Sequence, residues 1–171
     1  MGSRMADLTI ALAGNPNAGK STIFNVLTGL HQHTGNWPGK TVEKKEGEIQ
    51  HGNLKINIVD LPGTYSLTAY SPEEIIARDF IIQEHPDVVI NVGDATNLER
   101  NLYLTVQILE LDVPVVIALN MADDLHKNGA KINLDQLSQL LGGIPVISTT
   151  ANQGKGISDL ISKAVRVARK N

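Results

Sequence analysis

Three short motifs in this chain carry residue types that handle a nucleotide. Gly14-Asn15-Pro16-Asn17-Ala18-Gly19-Lys20-Ser21 has the spacing G-x-x-x-x-G-K-[ST]. Its glycines let backbone N–H groups turn inward around phosphate oxygens. Lys20 reaches the outer phosphates, and the Ser21 hydroxyl can ligate Mg2+. Asn15, Asn17, Ala18, Gly19, Lys20, Ser21 and Thr22 are therefore the expected phosphate-binding residues. Asp60-Leu61-Pro62-Gly63 comes next. A carboxylate at Asp60 can hold Mg2+ through a water, and the Gly63 N–H can meet a γ-phosphate. Asn120-Met121-Ala122-Asp123 fits N-x-x-D, in which the Asp123 carboxylate accepts the N1–H and 2-amino group of guanine. Adenine would face that carboxylate with a lone pair at N1, and a polar site rejects such a ligand heavily. Asn120, Met121 and Asp123 are thus expected at a guanine, with Thr150-Ala151 offering a backbone N–H to its O6.

These motifs need a scaffold that brings four distant loops together. Leu8 to Ala13 reads as a buried strand that Gly14 breaks, followed by a helix from about Lys20 to Leu27. Residues 30–40, with Gly35, Gly39, Pro38, His31 and His33, show no periodicity and read as a long functional loop. The charges of Glu43, Lys44, Lys45, Glu46 and Glu48 suit an exposed edge strand over 41–50. His51-Gly52-Asn53 turns it into an antiparallel partner at Leu54–Val59. Ser71-Pro72-Glu73-Glu74 opens a helix, with Ser71 as cap and Glu74 completing a capping box. Val88–Val92, Val113–Leu119 and Ile144–Ile147 are further strands. A helix from Thr96-x-x-Glu99 to about Leu111, a short one around Leu134–Leu141 and a last one at Ile157–Arg169 lie between or after them. Alternation of this kind predicts an α/β fold of about six mostly parallel strands, with one antiparallel edge strand and helices on both faces. Ligands of such sheets bind at the carboxyl ends of the strands, where the motifs fall.

Composition narrows the function classes. The chain has 171 residues, 42% of them hydrophobic, which suits one domain with one core. A net charge of −3 argues against a nucleic-acid coat, so no nucleic-acid partner is expected. With no Cys there are no disulfides, thiolate metal sites or cysteine catalysis. No apolar run is long enough for a membrane span, and no signal peptide is evident, so a soluble cytosolic segment is expected. Residues 1–4 read as an expression-tag remnant before a single domain over 5–171. The five His residues lie apart and read as solvated loop residues rather than metal ligands.

The order of motifs resembles the small GTP-binding domains of the Ras-like class. Gly35-Asn36-Trp37-Pro38-Gly39, Thr41 to Gly47, Asp60-Leu61-Pro62-Gly63-Thr64-Tyr65-Ser66-Leu67 and Asn97 to Leu104 narrow the resemblance to the N-terminal domain of ferrous iron transport protein B. That resemblance covers about residues 8–168. It implies a Mg2+-dependent GTPase, turning GTP into GDP, at the cytoplasmic face of an iron(II) transporter. Its partners would be the helical and transmembrane parts of that protein. It makes Gly39, Thr41, Gly63 and Thr64 switch residues, with Thr41 (less well Thr34) ligating Mg2+ when a γ-phosphate is present. Thr64 stands where a Ras-like enzyme places its water-orienting Gln and is too short for that work, so slow basal turnover is expected. Likeness to potassium-activated GTPases suggests a K+ held by Asn17 and the carbonyls of Gly35 and Trp37. Lys40 stands where the family usually has an aliphatic residue. A ribosome- or RNA-associated GTPase is the alternative that the acidic balance and residues 35–39 disfavour. A nucleotide-sensing module with incidental hydrolysis fits the same motifs.

Overall fold

The computed structural model describes residues 6–170, so the residue 1–4 remnant lies outside the described residues. Seven strands form one sheet in the order β2-β3-β4-β1-β5-β6-β7. They are β1 (Leu8–Gly14), β2 (Gln32–Asn36), β3 (Glu43–His51), β4 (Leu54–Asp60), β5 (Val88–Asp94), β6 (Val115–Asn120) and β7 (Val146–Ser148). The helices are α1 (Lys20–Thr28), α2 (Pro72–Glu84), α3 (Leu98–Leu109), α4 (Ala122–Lys127), α5 (Leu134–Leu140) and α6 (Ile157–Arg169).

The central strands β1, β5 and β6 are mostly apolar because both of their faces are covered. In β1, Ile10 and Leu12 face one layer, which Ile23 and Phe24 of α1 and Leu160, Ile161 and Ala164 of α6 complete. Ala11 and Ala13 face the other, built from Ile76, Ala77 and Ile81 of α2 and Leu104 and Ile108 of α3. Parallel pairing of β1 with β4 and β5, and of β5 with β6 and β6 with β7, sends every following loop out at one edge. The phosphate-loop, Asp60 and Asn120 segments leave the sheet there.

Four expectations need correction. The segment over residues 30–40 is not all loop, since Gln32–Asn36 pairs antiparallel with β3 and forms the true sheet edge. Four of its five residues are exposed, so no apolar alternation marks it in the sequence. Consequently the strand expected over 41–50 is interior, with Lys45 opposite Asp60, although it does run against its neighbours. The Ser71 side chain accepts from the Glu74 N–H as predicted, but the Glu74 carboxylate turns away to the Thr68 hydroxyl and the Tyr70 N–H. The helix expected from Thr96 is instead a 3-10 turn over Ala95–Asn97, capped by Asp94, leading into α3. Helix α4 went unmarked in the sequence because it is six residues long and buries none of them.

Candidate nucleotide-binding site

The loop from Gly14 to Gly19 is fixed by close approaches. A Cβ on Gly14 would lie 2.6 Å from the Val92 carbonyl, and one on Gly19 would lie 2.0 Å from the Asn120 amide nitrogen. Asn17 sits at φ 68°, the left-handed turn that folds the loop back on itself. Its side chain is exposed, while Asn15 is buried with both amide atoms unpartnered. Helix α1 begins beside this loop with no acidic residue in its first turn, leaving the positive end of its dipole for an anion. Ser21 is exposed and Thr22 half-buried on that turn.

Lys20 is buried, and its ammonium pairs with the Asp60 carboxylate at the end of β4. Burial pushes the Asp60 carboxyl above its ordinary range, and the charge and hydrogen bond of Lys20 pull the other way. Asp60 at the end of β4 and Ser21 on the first turn of α1 supply hard oxygen donors of the kind Mg2+ takes. Thr41 is exposed in the turn between β2 and β3 and is not hydrogen-bonded to either.

Asn120 joins the two ends of the site. Its amide donates to the Ala18 carbonyl at 3.1 Å. Its carbonyl oxygen accepts from the Thr149 hydroxyl and the Ala151 N–H, both at 3.0 Å. The Ala151 N–H is thereby committed to Asn120, and that of Thr150 to the Lys155 carbonyl, so neither is free for a guanine O6 here. Asp123 faces a cavity of about 190 Å3 lined also by Gly19, Thr22, Met121, Asn152 and Gln153. The Thr150 hydroxyl and the Gln153 amide occupy its two oxygens, at 3.2 and 2.7 Å. Gln153 and Thr149 were not anticipated. The sequence offers no signal for them beyond their place after β7.

The segment after Asp60 runs back along the phosphate loop. Gly63 packs against Pro16, where a Cβ would come within 3.3 Å of its backbone. The Thr64 N–H donates to the Gly14 carbonyl at 3.1 Å, and Thr64 is buried. The cation set is not assembled. Gly35 is paired with Lys44 inside the hairpin, and the Trp37 carbonyl accepts from the Lys40 N–H. Trp37, expected in a switch loop, packs against α2, edge-on to Phe80 at 5.7 Å with the Lys44 ammonium over its face. Gly39 is exposed at the hairpin tip with φ 70°.

Sheet order, phosphate loop and the Asn120 clasp together define a Ras-like P-loop GTP-binding domain. The chain belongs to the ferrous iron transport protein B family, whose profile matches residues 8–164. It is 51% identical over 160 residues to the Fe(2+) transporter FeoB of Escherichia coli K12, covering 91% of this chain and 21% of that protein. It is 50% identical over 161 residues to the Porphyromonas gingivalis fusion of Fe(2+) transport protein A with FeoB, covering 94% of this chain and 19% of that one. The chain thus spans about a fifth of the length of these curated relatives. Among solved structures it resembles the FeoB G domain of Methanococcus jannaschii, with a TM-score of 0.84 and 49% identity over 98% of this chain and all of that one. It also resembles a GDP-bound S. thermophilus NFeoB mutant, with a TM-score of 0.89 and 50% identity over 94% of this chain and 62% of that one. Among the described residues no helix is long and apolar enough to cross a membrane.

Proposed function

We propose that this chain is the cytosolic nucleotide switch of a ferrous iron transporter, which binds GTP with Mg2+ and hydrolyses it slowly. The observation that carries this is the Asn120 clasp. It ties the phosphate loop to the Thr149–Ala151 segment, so that Asp123 lies beside a cavity reaching Gly19. One ligand with a guanine edge and a phosphate chain satisfies both ends. On its arrival the Lys20 ammonium would exchange Asp60 for phosphate oxygens, and Ser21 and the freed Asp60 are the residues that would hold a Mg2+, Asp60 through a water. Gly63, already against the phosphate loop, donates its N–H to the γ-phosphate, and Thr41 closes over it. Mg2+ supplies neutralisation of charge on the phosphate oxygens. With Thr64 in place of Gln, an unaided rate no faster than the intrinsic Ras reaction, on the order of 10⁻⁴–10⁻³ s⁻¹, is expected. Iron(II) is the cargo of the longer protein, and the switch loops are the parts of this domain that signal to it. K+ belongs to the reading only as an activator held by Asn17 once the hairpin carbonyls are freed.

Asp123→Asn tests the base assignment. It should weaken GTP at least about 100-fold and favour xanthosine triphosphate, whose 2-position carries a carbonyl. Unchanged GTP affinity by calorimetry removes guanine from the reading.

A further inference from the structure

The second switch segment does not lie free on the surface; it is held along α3 at two points. The Arg100 guanidinium stacks over the Tyr65 ring at 4.2 Å. Two helical turns further on, the Gln107 side-chain oxygen accepts the Leu67 N–H at 2.6 Å. Residues 100 and 107 share one face of the helix, and Tyr65 and Leu67 are two residues apart in the irregular segment between β4 and α2, so both grips act on the same short stretch. Immediately upstream, Thr64 is bonded to Gly14 and Gly63 packs on Pro16. The phosphate loop and α3 thus fix alternate stretches of one short run.

We propose that Arg100 and Gln107 are positioning residues for GTP hydrolysis, setting how firmly Gly63 and Thr64 are presented to the terminal phosphate. The inference rests on the hydrolytic reading above. Its physical basis is the lack of a water-orienting side chain at Thr64: placement of the attacking water then falls to the switch backbone. That backbone is only as well placed as its anchors allow. Gln107 is the cleaner probe. It is uncharged, and it lines neither the cavity beside Asp123 nor the space around the phosphate loop.

The test is steady-state GTP turnover and GDP affinity of the parent, Gln107→Met and Gln107→Glu in one Mg2+- and K+-containing buffer. Methionine keeps the length and helix propensity but cannot accept the Leu67 N–H; glutamate keeps the acceptor. Loss of one such bond should lower kcat about three- to ten-fold in Gln107→Met, with KM and GDP affinity at parent values. Gln107→Glu should return to within about two-fold of the parent, since the acceptor is restored. Arg100→Ala should cost about two- to five-fold in the same parameter, as expected for an exposed cation–π contact. Parent-like kcat in Gln107→Met, or an equally slow Gln107→Glu, overturns the positioning role. A parent that binds GTP without turning it over overturns the hydrolytic reading instead.

Discussion

At the scale of single residues, the decisive feature is a buried ion pair standing where a charged ligand is expected. Lys20 and Asp60 are both buried, and each neutralises the cost of burying the other. Removing one partner leaves the other without compensation. Lys20→Met should therefore destabilise the nucleotide-free protein by about 3–5 kcal/mol near neutral pH, measured by urea unfolding. The pH dependence has a definite sign. Burial already raises the Asp60 carboxyl, and losing Lys20 removes the leading influence that lowers it. A carboxyl raised above its unfolded value costs stability at pH above its folded pKa, and the cost fades as pH falls and the group takes up a proton. The deficit of Lys20→Met should accordingly shrink as pH is lowered from neutrality through the acid range. A deficit constant across that range would mean that Asp60 is not the group left unpaired. The motif residues themselves were legible because each type and spacing has a chemical reason. The Asn120 to Ala18 contact was not, because it links residues 102 apart that only the sheet order brings together.

At the scale of elements, what the sequence showed depended on burial. The interior strands β1, β5 and β6 are marked by largely apolar runs, whereas β2 is exposed and carries no pattern. Trp37 falls within the 30–40 segment whose composition reads as loop, yet next to β2 it packs onto α2. Its indole N–H is buried without a partner, which costs about 1–3 kcal/mol and lowers the cost of leaving that seat. Trp37→Phe should therefore be near neutral for stability, and Trp37→Ala should lose about 3–5 kcal/mol, both read by thermal unfolding. If the hairpin tip moves over a γ-phosphate, emission of this single Trp will differ between GDP and a non-hydrolysable GTP analogue; identical spectra would make its seat on α2 permanent. The start of α2 carries a second dependence. The Thr68 hydroxyl, followed by the Tyr70 N–H, holds the Glu74 carboxyl below its ordinary range against some desolvation. A lowered carboxyl contributes stability above its unfolded pKa and loses it as pH falls through the folded one. The advantage of the parent over Glu74→Gln should thus be present at pH 7 and vanish on acidification below the ordinary glutamate range.

At the scale of the whole molecule, the proposed switch joins the sheet edge to the phosphate loop. The fold class was legible from alternation alone, while the hairpin's docking on α2 was not, because it depends on a Trp37–Phe80 contact between distant segments. That docking decides the potassium question. Asn17 presents its amide to solvent at the turn of the phosphate loop, but the two hairpin carbonyls that would complete a cage lie in paired backbone. Activation by K+ through these three groups therefore requires the hairpin tip to leave α2, so rate and Trp37 signal must change together. The expected outcome is faster GTP turnover in KCl than in NaCl at equal ionic strength, since the smaller ion fits a cage of that size poorly. A Trp37 emission change in the GTP-analogue state that appears in KCl alone should accompany it. Asn17→Ala should abolish both differences while leaving GDP affinity nearly intact, because the cation acts mainly on the transition state. Equal rates in the two salts would remove the cation altogether. A salt-specific rate with an unchanged Trp37 signal would keep the cation but move its site away from the hairpin, leaving the backbone held by α3 as the element that presents the water.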